Sequence, residues 1–203
     1  MERREKHRTI LVVGAPGSGK GTQGRILGNI PGFHHLACGD VFRSLDPGSE
    51  LGKVFLAYSG KGRLVPDQFT VQLWLDHIHG AIHNGGFRPD EEVLVLDGIP
   101  RNLRQAEMMA DYIDLNLLIY LDIADDNVLV ERALRRALRE NRLDDASEAV
   151  IRRRLREFER ETAPLLEYYP VEVIRKVDGE QKPVDVLHDV IGIIQEADTV
   201  ADF

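Results

Sequence analysis

Cysteine is scarce in this 203-residue chain, and lysine is scarce beside arginine: one thiol, Cys38, and six lysines against twenty arginines. A lone cysteine forms no internal disulfide and excludes a zinc centre built from cysteines, which points to a reducing compartment and the cytoplasm. Long apolar runs are missing too. Ile10 to Val13 and Val93 to Leu96 fall far short of the roughly 18 residues that cross a bilayer. Met1 to Arg8 is charged and leads into only four apolar residues before Gly14, so it lacks the hydrophobic region and cleavage site of a secretory signal. No internal repeat and no low-complexity tract is present. Basic charge is in deficit overall, at −8, which argues against broad contact with nucleic acid or anionic lipid.

What remains is an ordinary globular composition, 43% apolar and 30% charged, in a length suited to one α/β domain with a small insertion. The acidic average hides a local reversal, because ten arginines lie between Arg132 and Arg160. Arginine presents a planar fork of donors that grips phosphate or carboxylate, so a small anion is the expected partner. Buried-type strands are expected at Thr9 to Val13, Val93 to Asp97, Leu117 to Asp122 and Val171 to Val177, with a weaker one at His34 to Leu36. They are apolar throughout rather than alternating, as in a parallel sheet covered on both faces. Helices are expected at 21–28, 40–45, 49–59, 67–83, 105–112, 126–140, 147–168 and 183–197. Residues 38–66 read as a small helical insertion, and 137–147, around the polar stretch Asn141 to Ala146, as a short flap; all else is one core. His34 and His35 need no ligand role, and His77, His79 and His83 read as surface and core filling.

The first strand runs into Gly14-Ala15-Pro16-Gly17-Ser18-Gly19-Lys20-Gly21-Thr22 and then a helix. Glycines let consecutive backbone N–H groups face one anion, aided by the positive end of the helix. Lys20 would reach the β- and γ-phosphates and Thr22 would ligate Mg²⁺. A chance G-x-x-x-x-G-K is expected roughly 0.05 times in a chain of this composition. A structural turn that binds nothing is the alternative.

With Gly21 after the lysine, GAPGSGKGTQ resembles the adenylate kinase family of nucleoside monophosphate kinases. Ala37-Cys38-Gly39-Asp40 with Arg43, Gly62-Arg63-Leu64-Val65-Pro66-Asp67, Asp97-Gly98-Ile99-Pro100-Arg101, Arg142-Leu143-Asp144-Asp145 and Thr162-Ala163-Pro164-Leu165 are similar to that family's motifs in order. The resemblance implies a P-loop NTPase fold: a five-stranded parallel sheet flanked by helices, a monophosphate-binding insertion at 38–66 and a short lid at 137–147. It implies Mg-ATP + AMP = 2 ADP, performed by a monomer, with no structural zinc. Catalysis falls to Lys20, Arg101, Arg136, Arg142 and Arg154, with Arg153 as the fallback for Arg154. ATP falls to Gly17, Ser18, Gly19, Lys20, Gly21 and Thr22 with Arg132, Arg136 and Lys182, where Arg132 would lie over the adenine. AMP falls to Cys38, Arg43, Arg63, Leu64, Val65, Gly98, Ile99, Pro100, Arg101, Gln105, Arg142 and Arg154. Thr22 and Asp97 would serve the metal, largely through water; Asp40 either shares that role or caps a helix.

Gln105 carries the choice of acceptor base in this reading, because an amide donates and accepts as the adenine edge requires. Cys38, in place of the family's usual threonine, is a competing signal and keeps a CMP/UMP kinase open. It also reads as a small buried apolar residue. Ile99 for phenylalanine is a milder departure, and Asn102 distinguishes nothing. An adenylate-binding sensor without turnover is the alternative of a different class. Arg139, Arg152, Arg153 and Arg160 are expected as solvated partners of helix carboxylates.

Overall fold

The computed structural model describes residues 6–140 and 147–197. Five parallel strands form one sheet in the order β2-β3-β1-β4-β5: β1 (His7–Gly14), β2 (Phe33–Ala37), β3 (Val93–Asp97), β4 (Ile113–Asp122) and β5 (Ile174–Asp178). The apolar run of β1 is central because its alternate side chains meet two different cores. Leu11 and Val13 join Leu36, Leu94 and Leu96 under Trp74, Ile78 and Met109, whereas Ile10 and Val12 join Val93 and Val95 under Leu27, Val186, Val190 and Ile194. Each fully buried aliphatic side chain of this kind contributes about 1.5–3 kcal/mol relative to an exposed one.

The first core is covered by α4 (Asp67–His83) and α5 (Leu103–Met109), the second by α1 (Lys20–Leu27) and α9 (Pro183–Glu196). Between β2 and α4 lie α2 (Cys38–Arg43) and α3 (Glu50–Ser59); Ser49 caps α3 by accepting the Gly52 N–H. A third cluster joins α6 (Asp126–Glu140) to α7 (Glu148–Glu157) through Leu129, Ala133, Ile151 and Leu155. α8 (Leu165–Tyr168) completes the helices of the described residues. None of them is long and apolar enough to cross a membrane.

Three sequence expectations are corrected. The helix expected over 147–168 is broken: α7 gives way to a π-turn at Phe158–Thr162, and α8 begins only after Pro164. A proline lacks the N–H that would continue the ladder. The strand expected from Val171 starts at Ile174, because Val171–Val173 forms a 3₁₀ turn and pairing with β4 begins at Leu118↔Ile174. β4 in turn starts four residues early, at Ile113. Its polar Asp114 and Asn116 sit where β1 and β4 shift register at Thr9/Ile10, and Asn116 Oδ1 accepts the Thr9 N–H at 3.2 Å.

Parallel strands end together. Val12 of β1 pairs with Asp97, which also pairs with Ala37 of β2. The loops following β1, β2 and β3 therefore leave the sheet side by side, the usual ligand position in such folds.

Candidate active site

One cleft of about 580 Å³ opens at those strand ends and is lined by the glycine loop, α2, α3, α6, α7 and the loop after β3. One side of it is made mostly of backbone. The loop closes by Ser18 N–H donating to the Ala15 carbonyl at 3.0 Å, and Gly19 starts α1 by accepting from Thr22 and Gln23. Gly17 has φ +93°, and a Cβ there would meet the Leu129 carbonyl of α6 at 2.4 Å. Only glycine fits, in conformation and in space. Lys20 and Thr22 line the cleft; Lys20 Nζ lies 3.4 Å from the Ala15 carbonyl.

Asp97 is buried at the end of β3, and its Oδ2 would lie 3.1 Å from a Cβ placed on Gly21. The carboxylate thus packs against the backbone between Lys20 and Thr22, which gives a steric reason for glycine after the lysine. Thr22 and Asp97 line the same cleft and carry hard oxygen donors, which suit Mg²⁺. Among the described residues, no group of three or more His, Cys, Asp or Glu side chains could hold a metal ion by itself.

The other side is made of side chains from distant segments. Arg43, Arg101 and Arg154 come from α2, the β3–α5 loop and α7, and all line the cleft with Arg136 of α6. Burial lowers the pKa of Arg101, and the positive charges of Arg154 and Arg43 lower it further, against the opposing pull of Cys38 and Asp97. Guanidinium groups gathered this closely stand ready for an anion. Three bonds fix Arg101: Nε donates to the Gly98 carbonyl at 2.8 Å, its N–H donates to Gln105 Oε1 at 2.8 Å, and its carbonyl accepts from the Thr162 hydroxyl at 2.7 Å.

Arg63, Leu64, Val65, Gly98, Ile99 and Pro100 line the same side, and the Ile99–Pro100 bond is cis. Phe42 and Phe55 stack 5.2 Å apart between α2 and α3 to form part of its wall. Cys38 lies in the adjoining core, 3% exposed, and burial pushes its thiol up to about 12, so it stays neutral. The thiol therefore packs as an apolar group while its residue lines the cleft.

The adenylate kinase family model matches residues 12–174, most of the chain and every segment just described. The chain belongs to the adenylate kinase family. The adenylate kinase of Thermobifida fusca is 38% identical over 177 residues, spanning 84% of this chain and 89% of the relative. That of Flavobacterium psychrophilum is 37% identical over 166 residues, 79% of this chain and 83% of the relative. That of a Cyanothece species is 33% identical over 194 residues, 92% and 95% respectively.

Not every residue that the adenylate kinase resemblance nominated stands in the cleft. Lys182 is exposed at the start of α9, and its neighbour Pro183 lines the cleft instead, held where its carbonyl accepts from Gln23 Nε2 at 3.0 Å. Arg132 lines the cleft, but its guanidinium also clamps the β5–α9 loop through the Gly179 carbonyl at 2.6 Å and the Glu180 carbonyl at 3.0 Å. Asp40 caps nothing: α2 begins two residues earlier, with Ala37 as its cap, and Asp40 accepts from Arg43 at 2.9 Å and lies 3.6 Å from Arg25.

Arg154 lines the cleft, whereas Arg153 donates to the Lys61 carbonyl at 3.1 Å. Arg139 is, as expected, an exposed partner of a helix carboxylate, Glu140 at 3.0 Å, and it also lines the cleft. Arg142 and the flap segment 141–146 lie outside the described residues. Sequence reasoning overlooked the Thr162 contact and the part played by Asp67, both visible as motif letters but joined to Arg101 and Gln105 only by the fold.

Proposed function

We propose that this chain catalyses reversible phosphoryl transfer from ATP to AMP, giving two ADP. The observation that carries the reading is the meeting of Lys20 and the glycine loop with Arg43, Arg101, Arg136 and Arg154 in one cleft. Transfer between two anions needs both held in line while charge spreads over the equatorial oxygens, so converging cations are the main equipment required. The loop amides and Lys20 hold the donor's phosphates; Arg43 and Arg101 hold the acceptor phosphate; Arg136, Arg154 and Arg142 neutralise the moving group. No general base is needed, because an acceptor phosphate is already ionised at neutral pH.

Thr22 and Asp97 would hold Mg²⁺, largely through water. When bound, the ion would offset the negative charge of the donor phosphates. Residues 38–66 and 137–147 act as closing elements that bring the arginines in when both substrates are present. Closure excludes water, which would otherwise accept the phosphoryl group. The Arg153 contact with Lys61, joining the end of the 38–66 segment to α7, supports this.

Lys20→Met tests the reading. It should leave thermal unfolding unchanged and lower ADP formation by about 10²- to 10³-fold in a coupled assay; near-normal turnover would refute the phosphate-loop assignment. The same assay with AMP, CMP, UMP and GMP ranks the acceptors, and ATP binding without ADP production would favour a sensor.

A further inference from the structure

Gln105 is 1% exposed, and the orientation of its amide is settled by its partners rather than by its shape. Its Oε1 accepts the Arg101 backbone N–H at 2.8 Å, a group that can only donate. Its Nε2 donates at 2.9 Å to Asp67 Oδ1, a group that can only accept when ionised. The same Asp67 oxygen accepts Asn102 Nδ2 at 2.8 Å. Asn102 in turn is fixed by capping α5, where its Oδ1 accepts the Gln105 N–H at 2.8 Å. Every donor in this chain faces an acceptor, and turning the Gln105 amide over would oppose two oxygens at Asp67 and two donors at Arg101.

An amide has two lone pairs and two protons. Asp67 and Arg101 each use one, so Gln105 keeps one acceptor and one donor, in a fixed left-to-right order, for whatever enters the cleft it lines. Adenine and other amino-type bases offer an amine beside a bare ring nitrogen. Hypoxanthine, guanine and uracil offer the reverse, an oxo group beside a ring N–H. A freely turning amide would match either pattern.

We propose that Asp67 is a positioning residue that makes the acceptor site select amino-type over oxo-type bases, by preventing the Gln105 amide from turning. The inference rests on the acceptor-site reading of the preceding subsection and adds the residue that gives that site its discrimination. Asp67 stands at the first position of α4, 38 residues from Gln105 in sequence. Asp67 is not among the residues that line the cleft, so its loss affects base choice rather than the chemical step.

The probe pair is AMP and IMP, which differ only in amine and bare nitrogen against oxo and N–H. Dissociation constants from calorimetry and kcat and KM from turnover are compared for the native protein, Asp67→Ala and Asp67→Asn. In Asp67→Ala the preference for AMP over IMP should fall by about 30- to 100-fold, the order expected when two mismatched polar contacts cease to be enforced. The fall should appear in Kd and KM, with kcat for AMP within about 3-fold. Asp67→Asn keeps an acceptor oxygen and should restore most of the preference.

An unchanged AMP/IMP ratio in Asp67→Ala, or an asparagine variant as impaired as the alanine one, overturns the proposal. If the alanine variant fails to fold, side-chain amide exchange decides. Gln105 Nε2 protons, identified by their absence in Gln105→Glu, should exchange slowly in the native protein, and fast exchange overturns it. A native protein that prefers AMP in binding but makes no ADP refutes the catalytic reading alone.

Discussion

The two halves of the cleft are built from different materials. The donor half is main chain: one continuous stretch from Gly14 to Thr22, closed on itself and pressed against the Leu129 carbonyl of α6. The acceptor half is side chain: Arg43, Arg101, Gln105 and Arg154 arrive from segments as much as 111 residues apart in number and meet only because β2 and β3 end together beside α7. A main-chain cradle tolerates few changes and has little freedom to alter its ligand. A side-chain site is assembled contact by contact and can be altered in the same way.

The sharpest way to separate the halves is Arg101→Ala. It should lower kcat/KM for AMP by about 10²- to 10³-fold through lost charge-assisted bonds, while the Kd for ATP changes by about 3-fold or less; parallel losses for both nucleotides would show the halves to be one unit. Gly17→Ala is the converse. A side chain at φ +93° and 2.4 Å from a carbonyl oxygen should cost roughly 2–3 kcal/mol of stability and weaken ATP, measured by denaturant unfolding and calorimetry. AMP affinity of the folded fraction should stay close to native.

The weakest effect should leave both halves alone. His7 and His34 flank Phe87, with ring centroids at 5.5 and 4.8 Å, at the end of the sheet opposite the cleft. Burial lowers the pKa of both, and of His35, from the ordinary 6.5. Their neutral forms are favoured by folding, so the contribution is complete above about pH 6.5 and is lost as pH falls from there toward the lower folded values. Stability measured against pH should decline on the acid side of 6.5, with a smaller slope in His34→Gln. An unchanged slope would assign the acid loss to other groups.

How much of this was legible beforehand follows the same division. The donor loop is local, and its order of strand, glycines, lysine and helix is written in consecutive letters. The buried strands were legible because apolar runs report burial on both faces. Ends were not: Val171 looks like strand by its branching but is 76% exposed in a 3₁₀ turn, and only pairing with Leu118 decides that the strand begins at Ile174. The acceptor residues were nominated through family resemblance, and the contacts that orient them, Thr162 to Arg101 and Asp67 to Gln105, depend on packing across 61 and 38 residues. No periodicity carries that information. The π-turn that delivers Thr162 was equally hidden, since a helical pattern with one residue too many still reads as helix.

Gly62 lines the cleft in a way that follows from what it does not carry. It is buried, with φ +66°, and a Cβ there would come within 3.1 Å of the Val150 carbonyl and 3.4 Å of Arg153 and Arg154. Loop and helix therefore meet like two door edges without a handle between them. Any larger residue at that spot would work as a doorstop, wedging the two edges apart.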